Sequence, residues 1–264
     1  RDFCLSRGLG DVYKRQAEEA YEDFDYFLFS ALMDTRDYLL TMLQDRSVPV
    51  RYRMAKLLVC THDFQLAVNK QELFSWETIR ARHEQSGFSS AFRKKISDRC
   101  FPDMDRVDLM KQIWKTIVPK LEVLSPDWTV FLKDTLISLY HTCPEETSYM
   151  ELLLDFQDTF PEWQVQKEQL LVYWLYTYFC GAVYDEKIFA KGKMAVICTL
   201  FIEELVLGLY ARKREKPEPG ELVSVCYRFS RELEHSDQNL NMLEELLDQE
   251  EIFSLEHLMT LCSI

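Results

Sequence analysis

The chain has 264 residues, of which 47% are hydrophobic, 44 are acidic and 31 are basic, so its net charge is −13. This hydrophobic content is enough for a buried core and excludes an intrinsically disordered chain. The acidic balance disfavours nucleic acid as a partner, because binding to nucleic acid needs a basic face. With only 7 Gly and 8 Pro, the chain has too few turn residues for a many-stranded β fold, and long helices are favoured.

The first sixteen residues differ from the rest of the chain. They read RDFCLSRGLGDVYKRQ, hold two of the seven glycines and carry four basic against two acidic residues. This segment lacks a helical apolar period and is similar to translated sequencing-adapter sequence at the end of an open reading frame. We therefore expect residues 1–16 to be non-native and residues 17–264 to be the C-terminal domain of a larger protein. A genuine flexible N-terminus is the alternative.

From residue 17 onward the apolar pattern predicts helices almost throughout. Apolar side chains recur at steps of three and four residues, and Ser, Pro and Asp residues before several of these runs can cap a helix N-terminus. The predicted helices lie near residues 24–44, 50–68, 75–99 (two short helices around a break at Gly87), 103–123 (kinked or ended by Pro119), 125–141, 150–160, 164–184, 188–212, 221–235, 237–249 and directly after Ser254.

Two uncharged runs predict core helices. The longest, residues 169–184 (QLLVYWLYTYFCGAVY), is shorter than the roughly 18 apolar residues that cross a bilayer, and we predict that 164–184 is the central buried helix. A second run ends at Glu203 and Glu204. No signal peptide is visible, so we expect a cytoplasmic protein that does not enter the membrane.

No segment shows strand alternation, a fixed repeat or a glycine-rich nucleotide-binding loop. The sequence therefore predicts an all-α fold, with a single globular domain of roughly ten to twelve helices.

The cysteines do not predict a metal site. The eight lie at positions 4, 60, 100, 143, 180, 198, 226 and 262, and the smallest gap between neighbours is eighteen residues. Zinc and iron–sulfur sites usually draw ligands that are two to four residues apart. Buried reduced thiols are the simpler interpretation, and the isolated pair His141 and Cys143 does not change it.

A polar stripe on the predicted helix 221–235 is the main candidate site. Arg228, Arg231, Glu232 and His235 are spaced by three, four and seven residues, so they share one side of the helix. Two guanidinium groups, a carboxylate and an imidazole could grip a carboxylate ligand or move a proton. The alternative is a solvated face in which Arg228 pairs with Glu232. Arg36 with Asp37, and Asp63 after His62, are weaker candidates.

Three segments in chain order share the residue patterns of one family. They are residues 36–40 and 43–47 (RDYLL and LQDRS), residues 170–179, 182–185 and 193–196 (LLVYWLYTYF, AVYD and KMAV), and residues 227–239 and 252–258 (YRFSRELEHSDQN and IFSLEHL). The segments span most of residues 30–260 and resemble the bacterial flagellin lysine-N-methylase family. Thr177 and Glu186 stand where the family pattern has Arg and Gly.

The resemblance implies a transfer of methyl groups from S-adenosylmethionine to lysine side chains of flagellin, assisted by a 4Fe–4S cluster. In that family the cluster cysteines are closely spaced and lie in the N-terminal part, and this sequence has no such group. We therefore expect both cofactors to be held by the parent enzyme. The fragment alone is expected to hold neither cofactor and to be inactive.

The resemblance also assigns candidate residues. These residues match the family pattern without a known role. We take Arg228, Arg231, Glu232 and His235 as catalytic candidates and Arg36, Glu234 and Asn239 as substrate-binding candidates, with no metal ligand among them. These groups could orient the methionine end of the donor or hold the acceptor lysine, whose amine must be neutral to attack a methyl group. The alternative function is a non-catalytic helical recognition or scaffold domain that binds a protein partner.

Overall fold

The computed structural model describes residues 24–72, 75–97 and 105–262. Within these ranges the regular structure is entirely helical, which confirms the all-α prediction and the number of helices. The α-helices are α1 (Tyr26–Leu43), α2 (Val50–Asn69), α3 (Trp76–Glu84), α4 (Ser86–Ser97), α5 (Arg106–Ile117), α6 (Pro126–Thr142), α7 (Glu146–Thr159), α8 (Trp163–Tyr178), α9 (Ile188–Lys213), α10 (Pro219–Glu234), α11 (Asp237–Gln249) and α12 (Leu255–Cys262). The predicted non-native segment 1–16 lies outside the described residues.

Most predicted helix ends are confirmed, and their causes are local. Pro119 ends α5, which passes into a short 3₁₀ turn, Val118–Lys120. Residue 219 begins α10 earlier than predicted, because Glu218 and Glu221 form a reciprocal capping box. The break between α3 and α4 lies at Gln85 and not at Gly87, since Gln85 has an extended backbone with φ −64° and ψ 132°.

The prediction that residues 164–184 form the central buried helix is wrong. In this segment α8 ends at Tyr178 and continues as a 3₁₀ turn, Phe179–Val183, and only six of its sixteen α-helical residues are buried. The central helix is α9, in which 21 of 26 residues are buried. The reason is that α9 is apolar on all sides, whereas α8 places tyrosines toward solvent on one side.

α9 packs against α2, α6, α8, α10 and α11. By length and composition it is also apolar enough to cross a membrane, but 89% of its apolar window is buried inside this fold, as expected of a core helix. Two glycines allow close approach: a side chain at Gly192 would collide with Thr61 and one at Gly208 with Thr135. The core is therefore tightest along α9.

Glu203 and Glu204 place two carboxylates at the centre of this core, and both are fully buried. Glu203 forms ion pairs with Arg106 of α5, at 3.2 Å, and with Lys167 of α8, and it accepts a hydrogen bond from Trp163 Nε1 at 3.0 Å. Burial alone would raise the pKa of Glu203, but attraction by Lys167 and Arg106 holds this pKa below its ordinary value. Glu203 is therefore a buried anion with two cationic partners.

Glu204 has a different environment. It accepts hydrogen bonds from Tyr140 of α6, at 2.8 Å, and from Tyr149 of α7. Burial raises the pKa of Glu204 above its ordinary value, against the attraction of Arg106. Arg106 completes the network by donating to Tyr149 and to the carbonyl oxygen of Leu261 in α12. The buried ion network of Arg106, Lys167, Glu203 and Glu204 thus connects α9 to five other helices.

Gly208→Ala tests how closely α9 packs on α6. A Cβ atom at position 208 would lie 2.6 Å from Thr135 Cγ2 and 2.8 Å from the Thr135 carbonyl oxygen. We expect this substitution to lower the free energy of unfolding by about 1–3 kcal/mol in urea denaturation, because the two helices must move apart. Gly220→Ala is the matched control, since a Cβ there meets nothing within 4 Å. Equal effects of the two substitutions would contradict the packing.

Glu203→Gln and Glu204→Gln test the buried ion network. At pH 7 we expect Glu203→Gln to cost about 3 kcal/mol or more, because Arg106 and Lys167 lose a buried counter-charge. Glu204→Gln should cost about 1 kcal/mol, because this site favours a neutral group. Urea denaturation at pH 7 measures both.

The pH dependence of the two variants should differ in sign. The stability from Glu203, whose folded pKa is lowered, is present above its unfolded pKa and is lost as the pH falls through its folded pKa. Glu204 has a raised folded pKa, so its contribution is present below its unfolded pKa and is lost as the pH rises through its folded pKa. As the pH falls from 7, Glu204→Gln should steepen the loss of stability above the ordinary glutamate pKa of 4.5, and Glu203→Gln should flatten the loss below it. Identical pH profiles would contradict the assigned charges.

Candidate functional site

The two arginines of the predicted polar stripe lie on α10 and contact Asp127 in the first turn of α6. Arg228 Nη1 is 2.9 Å from Asp127 Oδ2, and Arg231 Nη2 is 3.3 Å from Asp127 Oδ1. The Ser125 hydroxyl, followed by Arg231 and Arg228, lowers the pKa of Asp127. Arg228 therefore pairs with Asp127 and not with Glu232, the partner considered from spacing alone.

Glu232 is buried, and its Oε1 lies 3.5 Å from Arg231 Nη2. Its side chain is 3% exposed, and its Oε2 accepts hydrogen bonds from the backbone N–H of Leu124, at 2.8 Å, and of Ser125, at 3.4 Å. These amides lie just before α6, whose N-cap Ser125 makes no side-chain cap. A carboxylate there also complements the positive end of the helix dipole. Glu232 therefore caps the N-terminal end of α6, although more than one hundred residues separate the two in sequence.

Asn239 fixes the same loop. It is fully buried, and its Nδ2 donates to the carbonyl oxygens of Glu122, at 3.0 Å, and Glu232, at 2.7 Å. Its Oδ1 accepts from the Glu122 N–H at 2.8 Å. Asn239 therefore uses both amide hydrogens and its oxygen to hold loop 121–125 against the junction of α10 and α11.

Glu234 faces the opposite way and meets the tyrosines of α8. Its Oε2 accepts hydrogen bonds from Tyr173 at 2.5 Å and from Tyr178 at 2.8 Å, and Ser230 donates to its Oε1. Burial is the larger cause and the hydrogen bond to Glu234 the smaller cause of a raised pKa in both tyrosines. The pKa of Tyr173 rises to about 12, and that of Tyr178 rises by more. Both phenols are therefore donors to this carboxylate at neutral pH.

Three exposed tyrosines lie on the two helices that meet at Glu234. Tyr173, Tyr176 and Tyr227 are 46%, 60% and 60% exposed. Tyr173 and Tyr176 are three residues apart on α8, and Tyr227 and Glu234 are two turns apart on α10, so each pair shares one side of its helix. Arg36 of α1 joins this surface, with its guanidinium 5.0 Å from the Tyr176 ring centroid. We call Arg36, Tyr173, Tyr176, Tyr227 and Glu234 the Glu234 face.

The remaining candidates, Arg36, His235 and Asp63, lie in three different surroundings. Arg36 pairs with Asp37 at 3.0 Å and donates to Cys180 Sγ at 3.8 Å. His235 is the C-cap residue of α10 and is exposed. Asp63, a weaker candidate from the sequence, pairs with the buried His83 at 2.8 Å and with Arg82.

Six of the seven predicted residues thus divide into two groups, and His235 belongs to neither. Arg228, Arg231, Glu232 and Asn239 join α10 and α11 to loop 121–125 and α6, and Arg36 and Glu234 belong to the Glu234 face. Whether any of them acts in catalysis or binding stays a prediction. The sequence analysis missed Tyr173, Tyr176 and Tyr178, because α8 was expected to be buried on all sides. A signal was available, since phenol groups favour positions where the ring is covered and the hydroxyl reaches a polar partner.

The Glu234 face suits the binding of a cation. Its carboxylate accepts from two phenol donors, and the exposed ring of Tyr173 beside it can receive a cationic group, as the ring of Tyr176 receives Arg36. In contrast, the described ranges contain no group of three His, Cys, Asp or Glu side chains that could hold a metal ion. The arrangement therefore favours recognition of an ammonium or guanidinium group.

The described cysteines do not fit an iron–sulfur cluster. Cys60, Cys143, Cys180, Cys198, Cys226 and Cys262 are free thiols. Burial raises the pKa of Cys198 well above its ordinary value and that of Cys262 to about 12. Cluster ligands must be thiolates that converge on one centre, and these thiols are dispersed and held protonated.

Comparison with known families gives one match. The family model described as the FliB lysine N-methylase C-terminal domain matches residues 36–261. The match includes all seven candidate residues and confirms the resemblance to the flagellin lysine-N-methylase family. Searches of curated proteins and of solved structures find no match.

Glu232→Ala tests the capping role of this carboxylate. Because the amides of Leu124 and Ser125 lose a buried acceptor, we expect the free energy of unfolding to fall by about 1–3 kcal/mol, measured by urea denaturation. His235→Ala, at an exposed position on the same helix end, should change it by less than about 0.5 kcal/mol. Unchanged stability in Glu232→Ala would show that loop 121–125 does not depend on this carboxylate.

Proposed function

The chain belongs to the FliB lysine N-methylase family through its C-terminal domain, and from this premise we propose that it is part of an S-adenosylmethionine-dependent protein lysine N-methyltransferase that acts on flagellin. The match over residues 36–261 carries the proposal. In this reaction a neutral lysine amine attacks the methyl group of the donor. The protein must therefore bind a lysine that arrives in solution as an ammonium ion, with an ordinary pKa of about 10.4.

We propose that the Glu234 face receives the substrate protein. Exposed tyrosines with one polar end are typical of the residues that dominate protein interfaces. The Glu234 carboxylate offers a counter-charge to a lysine ammonium group, and Tyr173, which donates to this carboxylate, offers an exposed ring beside it. The net charge of −13 also attracts lysine-bearing surfaces over a longer range. The face therefore combines anchoring residues with a local and a general preference for cations.

The cofactors of this reaction belong to the parent enzyme in our proposal. S-adenosylmethionine supplies the methyl group. The described cysteines do not provide the thiolates of a 4Fe–4S cluster, and we assign no step of the reaction to that cluster here. It follows that the helical chain alone should hold neither group and should not methylate flagellin. Its free cysteines are consistent with the cytoplasm, where thiols stay reduced.

A second candidate is a non-catalytic recognition or scaffold domain. The observation that favours it is the structural use of Glu232 and Asn239, two of the conspicuous polar residues of the family-like segment. In that case the domain would supply affinity for flagellin, while all the chemistry took place elsewhere in the enzyme. The two candidates differ in whether substitutions on this domain change the catalytic rate constant kcat or only the Michaelis constant KM.

Tyr176→Ala in the full-length enzyme tests the proposed role of the Glu234 face. Tyr176 is 60% exposed, so the variant should fold. We expect KM for flagellin to rise about fivefold or more with kcat unchanged, because an interface anchor is lost from ground state and transition state alike.

Leu154→Ala is the matched control for this assay. Leu154 is an apolar side chain on α7 that is 53% exposed and does not belong to the Glu234 face. Its KM should stay at the wild-type value. An unchanged KM in Tyr176→Ala, or equal changes in both variants, would contradict substrate binding at this face.

A further inference from the structure

A small cavity lined by cations lies at the C-terminal end of α1. It is about 50 Å³ in volume and is formed by the end of α1, the start of α2 and the middle of α4. A single water needs roughly 10–15 Å³ on this scale. The space therefore matches a group of a few heavy atoms, such as a carboxylate or a phosphate.

The charges around this cavity are unbalanced. Arg53, Lys56 and Arg93 line it, with Asp45 as the acidic residue among the lining side chains. The Asp45 carboxylate is already engaged, because its Oδ1 accepts from the Ser47 N–H at 3.0 Å and from the Ser47 hydroxyl at 2.5 Å. The Ser47 hydroxyl, followed more weakly by Arg53 and Arg93, lowers the pKa of Asp45. The cavity therefore keeps a positive excess in a chain that has 44 acidic and 31 basic residues.

Two of these cations are in no ion pair with a described residue. In the part of the chain that the structure describes, neither Lys56 nor Arg93 forms an ion pair. Lys56 is half-buried and Arg93 is exposed, whereas the buried lysines Lys167 and Lys191 are paired, the first with Glu203 and the second with Asp185 and Glu244. An anion in the cavity would give Lys56 and Arg93 the ion-pair partner that the described residues do not supply.

Arg53 provides a fixed donor at the same place. Its side chain is 5% exposed, and its Nη1 is held by Glu168 Oε2 at 2.7 Å and by the carbonyl oxygen of Leu43. Its Nε is buried and has no hydrogen-bond partner among the described residues. Since buried N–H groups nearly always have a partner, this Nε–H is a donor without its acceptor. The first turn of α2, which has no side-chain cap, adds the positive end of a helix dipole.

We propose that this cavity binds an oxyanion, the carboxylate or phosphate group of a small ligand, between Arg53, Lys56 and Arg93. Arg53 donates from Nε, while its Nη1 stays on Glu168. Lys56 and Arg93 supply the charge that makes these hydrogen bonds short and strong. The proposal is independent of flagellin methylation, because none of these residues belongs to the Glu234 face.

The test is a titration of the isotopically labelled 264-residue chain with inorganic phosphate, followed by NMR of the arginine Nε–H signals. Ionic strength is kept constant with sodium chloride, because screening alone changes the signals of exposed charges. We expect a saturable shift of the Arg53 Nε–H signal. A parallel titration with acetate shows whether a planar or a tetrahedral oxyanion binds more tightly, and saturation by either ion supports the site.

Variants that remove a charge identify the residues that bind the anion. Lys56→Gln combined with Arg93→Gln should weaken binding about tenfold or more, because two charged partners are lost. Lys94→Gln, which removes an exposed charge from the same helix as Arg93 but outside the cavity, should leave it within about twofold. Should the double variant fail to fold, Arg93→Gln alone, at an exposed position, should still weaken binding. A shift that never saturates, or one of equal midpoint in the Lys94 and Arg93 variants, would overturn the proposal.

Discussion

The buried pair Glu203 and Glu204 is the constraint on which the rest of the fold depends. Two adjacent residues of a helix point about 100° apart, so the two carboxylates must find partners on different neighbours. Glu203 finds Arg106 and Lys167, and Glu204 finds Tyr140 and Tyr149. A buried charge without a partner is strongly destabilising. The arrangement of α5, α6, α7 and α8 around α9 satisfies both carboxylates at once.

This arrangement positions the surface that we assign to the substrate. Lys167 and Trp163 tie one side of α8 to Glu203, and Glu168 ties it to Arg53 at 2.7 Å. The other side of α8 then presents Tyr173 and Tyr176 to solvent. On α10 the step from Glu232 to Glu234 turns the side chain to a different side of the helix. One carboxylate therefore holds loop 121–125 and the other meets the tyrosines of α8, so a single helix links the core to the exposed face.

Local features of the fold could be predicted from the sequence, whereas its pairings could not. Apolar steps of three and four, the Ser125-Pro126 start and Pro119 identify helices and their ends, because these signals act within one or two turns. The burial of α8 and α9 was assigned in the wrong order, because hydrophobicity does not reveal which apolar helix is surrounded. The partners of Glu232 could not be predicted either. Its spacing places it beside Arg228, but only folding brings the amides of Leu124 and Ser125 to it. The tyrosines of the Glu234 face escaped notice for the same reason, since exposure depends on which neighbours cover a helix.

The most direct test of the account is photo-crosslinking between the full-length enzyme and flagellin. A photoreactive amino acid in place of Tyr176 probes the Glu234 face, and the same group in place of Leu154 probes an equally exposed position on α7. The account predicts crosslinks to flagellin from position 176 that disappear with excess unlabelled flagellin, and none from position 154. Crosslinks from position 154 with none from position 176 would contradict it.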